Sequence, residues 1–178
     1  MNFSRAEVIA ACRKWATKLW LPPEINGPQL LWALAGNESS FGANCAPRHE
    51  PAYDVGGVYA KNPEQARLLE LFGSAGACSY GPWQEMLVNC SPGTRPEDLA
   101  ENVNRCALEA AGFINDRILR GQKARTIEEI AEAYNSGKWK WEEVPRGVAT
   151  YVADCVRYYN TEPDAGDGVR GADVSTRA

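Results

Sequence analysis

The chain has a single histidine, only two methionines, and no CxxC pair among its six cysteines. A metal centre drawing on several histidines cannot be built from it, and the zinc-ribbon and thioredoxin arrangements, which need CxxC spacing, are excluded. Long apolar runs are missing as well. No stretch approaches the roughly 18 apolar residues of a membrane-spanning helix, and the first 21 residues carry Arg5, Glu7, Arg13, Lys14 and Lys18. Neither membrane insertion nor a signal peptide is expected. The 19 basic residues form no polybasic run and are outnumbered by 23 acidic ones, for a net charge of −4. Nucleic acid is therefore not an expected partner. Alternating strand patterns are almost absent and no internal repeat is visible, so the fold class is mainly α.

With 178 residues, of which 44% are hydrophobic, the chain is long enough for one sizeable core, and residues 1–160 are expected to form one domain. Ser4-Arg5-Ala6-Glu7 has capping-box spacing, and Val8, Cys12, Trp15 and Leu19 then recur at helical steps, predicting a helix over 5–19. Pro22-Pro23 and Asn26-Gly27 break the chain. Pro28 suits a first helical turn, and Leu31, Leu34, Ala35 and Glu38 follow at i, i+3, i+4 and i+7. Residues 42–80 look like a folded, loop-rich insertion with one helical pattern over 63–72. Thr94-Arg95-Pro96-Glu97 opens what reads as the longest helix, running to Gly121. A further capping box, Thr126-Ile127-Glu128-Glu129, starts a helix that Gly137 stops, and a last helix begins near Pro145 with Val148, Tyr151, Val152, Cys155 and Tyr159 on one face. From 161 to 178 the composition turns to Gly, Asp, Thr and Ser, and a loose tail is expected.

The cysteines leave two readings open, disulfides or buried thiols. Cys12, Cys106 and Cys155 lie in helical patterns, where a thiol behaves as a small hydrophobe; Cys45, Cys78 and Cys90 lie in Gly- and Pro-rich stretches, where a bridge would replace missing packing. Because Cys45 and Cys78 flank the insertion, a disulfide between them is expected, contributing about 3 to 4 kcal/mol in the chain-entropy model.

Glu38 stands on the apolar face of its helix, where partial desolvation raises a carboxyl's pKa and suits it to donate a proton near neutral pH. On position alone it could equally end its helix against a cap or an ion pair. Its surroundings point further. Leu34-Ala35-Gly36-Asn37-Glu38-Ser39-Ser40-Phe41-Gly42 resembles the "ES" motif of soluble lytic transglycosylases, peptidoglycan-cleaving enzymes with a lysozyme-like helical fold. Ser79-Tyr80-Gly81-Pro82-Trp83-Gln84 is similar to that family's second motif, GLMQ, and Ala133-Tyr134-Asn135-Ser136-Gly137 to its third, AYNAG. The three stand in family order, and the resemblance covers residues 28–160. Two departures reshape it: Glu38 and Gln84 lie 46 positions apart, a wide spacing similar to that of a phage-type muramidase group, and Pro82-Trp83 replaces the common Leu-Met.

The resemblance implies that Glu38 protonates the glycosidic oxygen between N-acetylmuramic acid and N-acetylglucosamine, acting as acid and then as base without metal or cofactor. Attack by the muramic acid's own 6-hydroxyl would give a 1,6-anhydro sugar. Gln84, Tyr134 and Asn135 would line the groove, with Tyr134 bonding the acid or the sugar, and Ser79, Tyr80 and Trp83 are further groove candidates. Because most glycosidases use two carboxylates, Glu50, Asp54 and Glu85 are candidates for a second, which would make the enzyme a hydrolytic muramidase of the endolysin kind. A wall-binding or virion module with little activity is the alternative from outside enzymology. His49 reads as a loop residue; it is too few for a zinc amidase and would serve a Cys/His peptidase only beside a reactive thiol. Trp15 and Trp32 read as core, Trp83 and Trp139 as groove. The expected partner is the glycan strand of peptidoglycan, met by a monomer in the periplasm or outside the cell, with a phage-encoded protein released through a membrane lesion or carried on a virion as one origin.

Overall fold

The computed structural model describes residues 2–138 and 143–161. Expectations for Trp139, and for the tail beyond Thr161, lie outside the described residues. The fold is mainly α. Its first helix, α1 (Arg5–Trp15), starts on the capping box as expected: Ser4 Oγ accepts from the Glu7 amide, and the Glu7 carboxylate accepts from the Ser4 amide at 2.8 Å. It stops at Trp15 and gives way to a short 3-10 turn, Ala16–Lys18.

The central element is α2 (Gly27–Ser39), capped by Asn26, whose side chain accepts from the Gln29 amide. Residues 30–36 are all buried, so this helix is enclosed on every side rather than amphipathic. α1 lies against it, and α7 (Arg146–Tyr159) packs along another side. α6 (Ile127–Ser136) lies on α7, and α5 (Val103–Phe113) on α1. α3 (Pro63–Phe72) belongs to the insertion.

The insertion also supplies a small antiparallel sheet that the sequence pattern did not reveal. β1 (Arg48–His49) pairs with β2 (Cys78–Tyr80), placing Arg48 opposite Ser79; β2 pairs with β3 (Glu85–Met86), placing Tyr80 opposite Glu85. The β2–β3 turn has Gly81 at φ +70° and Gln84 at φ +48°. A side chain at Gly81 would meet Cys106 Sγ at 2.6 Å and the Leu99 carbonyl at 2.8 Å, so close packing as well as backbone conformation calls for glycine.

Several expectations change here. The helix predicted from 94 to 121 is three pieces: α4 (Pro96–Ala100), then α5 restarted by Asn102, whose side chain accepts from the Arg105 amide, then a segment of π geometry over Ile114–Gln122. Thr94 caps nothing; its hydroxyl is buried and donates to the Ser91 carbonyl, while Asp98 accepts from the Arg95 amide. Trp83 is not a groove residue. It is fully buried, and its indole N–H donates to the Leu31 carbonyl at 2.8 Å, pinning the hairpin to α2; truncating so large a core side chain costs about 3–5 kcal/mol. Tyr80 is likewise buried, with its hydroxyl spent on the Ala75 carbonyl.

The Cys45–Cys78 disulfide is absent, and all six cysteines are free thiols. Cys45 points into the core and donates to the Gly42 carbonyl, whereas Cys78 donates to the Ser74 carbonyl on the sheet. The insertion is held by β1–β2 pairing and by buried Gln65, whose amide donates to the carbonyls of Tyr53 (2.8 Å) and Gly76 (3.1 Å). Among the described residues no helix is long and apolar enough to cross a membrane. Alkylation after denaturation without reductant should therefore add six labels per chain; fewer, with mass restored by reductant, would contradict the free-thiol arrangement.

Candidate functional site

The site is set by how α2 ends. Ser39 Oγ donates back to the Ala35 carbonyl and accepts from the Gly42 amide, while Ser40 and Phe41 adopt left-handed conformations, at φ +52° and +61°. The chain thus reverses within three residues of Glu38. Phe41 folds back to stack on Trp32, ring centroids 4.1 Å apart, and meets Tyr158 edge-on. The Ser and aromatic positions of this stretch serve the turn, and the turn leaves Glu38 in the last helical turn, facing a cleft of about 640 Å³.

Glu38's side chain is only 8% exposed. Its Oε1 accepts from the Tyr151 hydroxyl at 2.8 Å, and Oε2 lies 3.6 Å from the Arg48 guanidinium. Burial raises its pKa; the Tyr151 hydrogen bond and the Arg48 charge oppose that rise without cancelling it, and nearby Glu50 adds to it. The C-terminal end of a helix, the negative end of its dipole, is also unfavourable ground for a negative charge. Tyr151 comes from α7, aligned by the Asn37 side-chain amide, which donates to the Tyr151 carbonyl at 3.0 Å.

Across the cleft, Arg48 bonds Glu50 at 2.7 Å. Gln84 is fixed at both ends of its amide: Nε2 donates to the Gly81 carbonyl and Oε1 accepts from the Ser79 hydroxyl, each at 2.9 Å. Ser79 Oγ also lies 3.1 Å from Glu50. Glu85 is 3% exposed and faces the Tyr134 hydroxyl. Burial pushes its carboxyl up to about 8 against the lowering effect of that hydrogen bond, with Glu38 and Glu109 adding to the rise. Asn135, at the end of α6, is exposed on the rim, and Asp116 and Arg117 of the π segment extend the wall.

Of the residues expected from the sequence, the cleft gathers Glu38, Gln84, Tyr134, Asn135, Ser79, Glu50 and Glu85. It does not gather Tyr80, Trp83 or Asp54. Asp54 turns away to pair with His49 at 2.6 Å, and the Val55 amide together with His49 holds its carboxyl below the usual range. Of the two roles expected for Tyr134, bonding the acid or the sugar, the first is not seen: its hydroxyl bonds Glu85 and the Trp83 carbonyl while the residue lines the cleft. Tyr151 and Arg48 hold that place instead. Tyr151 was hidden on the apolar face of α7, where it reads as core, and Arg48 sits in the insertion, where no periodicity marks it. No cluster of three or more His, Cys, Asp or Glu that could hold a metal occurs among the described residues.

A carboxyl whose pKa is higher in the folded chain keeps its proton while the unfolded chain releases one, so it costs stability as pH rises above the unfolded pKa, about 4.3 for Glu. Glu38→Gln is therefore expected to raise the melting temperature at pH 7 relative to the parent. The gain should vanish below about pH 4, where both states are protonated. A penalty of equal size at both pH values, read by thermal unfolding, would mean that Glu38 is not held protonated.

The chain matches no family model, no curated protein sequence and no solved structure, and the function of this cleft rests on its own side chains and on the motifs that supply them.

Proposed function

We propose that the chain cleaves the β-1,4 bond between N-acetylmuramic acid and N-acetylglucosamine in peptidoglycan, by lytic transglycosylation on a lysozyme-like helical domain. The observation that carries the reading is convergence: the three motif stretches that resemble the transglycosylase pattern, far apart in the chain, supply Glu38, Gln84, Tyr134 and Asn135 to one cleft, with the acid desolvated on its wall.

The chemistry follows from the state of Glu38. With its pKa raised by burial, it is suited to give its proton to the glycosidic oxygen as the C1–O bond of the muramic acid breaks. The resulting carboxylate is stabilised by the Tyr151 hydroxyl and by Arg48, and it then accepts the proton of the muramic acid 6-hydroxyl as that oxygen bonds to C1. One acid is both donor and acceptor, and a 1,6-anhydro end is formed without water.

The other carboxylates favour this path over hydrolysis. An inverting or retaining hydrolase needs a second, ionised carboxylate free to activate water or attack C1. Glu50 is paired with Arg48, Asp54 lies outside the cleft with His49, Glu85 is bonded to Tyr134, and Asp116 on the wall is paired with Arg120 at 3.0 Å. A module that only binds the wall is disfavoured for a different reason: a desolvated carboxyl costs stability, and binding alone gives no return for it. The substrate places the site of action at the cell wall, outside the cytosol.

Glu38→Gln keeps the size of the side chain and removes the transferable proton. Its rate of clearing purified sacculi should fall by about 100- to 10,000-fold, the range general acid catalysis supplies, while the fold persists. Clearing at the parent rate would overturn both the acid and the reading built on it.

A further inference from the structure

The Tyr134 hydroxyl sits between two acceptors. It lies 2.9 Å from the Trp83 carbonyl oxygen and 2.5 Å from Glu85 Oε1. A carbonyl has no proton to give, and a phenol has one, so the two contacts can both be full two-centre hydrogen bonds, rather than one shared proton, only if the second proton belongs to Glu85. We propose that Glu85 is a positioning residue of the cleft: as a neutral acid it donates to the Tyr134 oxygen, which commits the tyrosine's own proton to the Trp83 carbonyl and locks α6 to the β2–β3 turn.

The surroundings suit a neutral group. Tyr134 faces Glu85 from α6, Glu38 from α2, Glu109 and Cys106 from α5, and Cys90 from the chain after β3. The nearest cation on α5, Arg105, is spent on Glu109 at 2.7 Å. Among the described residues no group of opposite charge pairs with Glu85, and its burial favours the protonated form. Tyr134 keeps its proton for the same reason, since burial and the neighbouring carboxyl groups raise its pKa well above the ordinary phenol value.

The lock serves the cleft that the proposed wall cleavage uses, and to that extent it rests on that reading. The Trp83 carbonyl belongs to the residue that pins the hairpin to α2, and Gln84 follows it directly. Losing Glu85's proton forces the single tyrosine proton to choose between Glu85 and Trp83, and it places a negative charge beside Glu38. Both changes loosen the geometry around Gln84 and Asn135.

Two measurements that need no substrate test the proton itself. In a Glu38→Gln background, infrared difference spectra between the chains with Glu85 and with Glu85→Gln should show a protonated-carboxyl C=O stretch at pH 7 that only the former has. Thermal unfolding of the same pair should show Glu85→Gln gaining stability from about pH 4.3 upward, with no further gain once Glu85 itself ionises, at a pH below the value of about 8 that it has with Glu38 in place. Absence of the carboxyl stretch at pH 7, with a stability difference that stops growing near pH 5, would overturn the proposal.

Wall clearing by single variants tests the positioning. Glu85→Gln can still donate to Tyr134 and should clear sacculi faster than Glu85→Leu, which cannot, by roughly tenfold, the worth of one buried hydrogen bond. Equal rates for the two would overturn the positioning role. If the parent chain clears no wall at all, the functional reading fails while the infrared and unfolding results still decide the proton.

Discussion

A carboxyl group sits at the end of a helix that is buried on all sides, and most of the structure follows from accommodating it. The central helix can be enclosed because Leu30, Leu31, Trp32 and Leu34 are apolar and the residues between them small. That enclosure is favourable up to Glu38, where it becomes a desolvation cost. The cost is limited by a tyrosine donor from the last helix and an arginine from a three-stranded sheet. It is kept local by a turn that reverses the chain immediately afterwards. An acid placed this way has its pKa raised by burial, and the tyrosine and the arginine oppose that rise without cancelling it.

The cleft contains a second acid in a related setting. Glu38 and Glu85 each face a tyrosine, Tyr151 and Tyr134, burial raises the pKa of both, and Glu38 adds to the rise at Glu85. The two pairs differ in what else the tyrosine does. Among the described residues no second acceptor engages the Tyr151 hydroxyl, which in the proposed reaction is left to support the charge that Glu38 would develop on giving up its proton. Tyr134 is tied to the Trp83 carbonyl as well, so its pair is committed to holding two elements together. The same chemical pairing thus serves the proposed reaction at one site and the architecture at the other, and the difference lies in the number of acceptors around each phenol.

How much of this could be read from the chain depended on the length scale of the signal. Capping boxes at Ser4 and Thr126 and the helical period through Glu38 are local, and the helices start where they predict, although the first stops at Trp15 rather than at Leu19. Strands of two or three residues are too short to show alternation, so the sheet that carries Arg48, Ser79 and Glu85 was invisible. Thr94 mimics a cap but is drawn inward by Ser91 and Glu109, and Trp83, next to a motif glutamine, is claimed by the core rather than the groove. Tyr151 carried the signature of a packed residue because it is one; only its hydroxyl, meeting Glu38 across 113 positions, makes it part of the site. The cysteines misled for a similar reason, since flanking an insertion says nothing of where each thiol points.

The central claim is that a single buried acid performs both proton transfers while the sugar supplies its own nucleophile. Digestion of sacculi in water carrying heavy oxygen, followed by mass spectrometry of the released muropeptides, tests it most directly. The account predicts muramic ends one water lighter than reducing ends and free of the heavy isotope. Incorporation of heavy oxygen at newly formed reducing ends would show that water is the nucleophile and that a second carboxylate takes part.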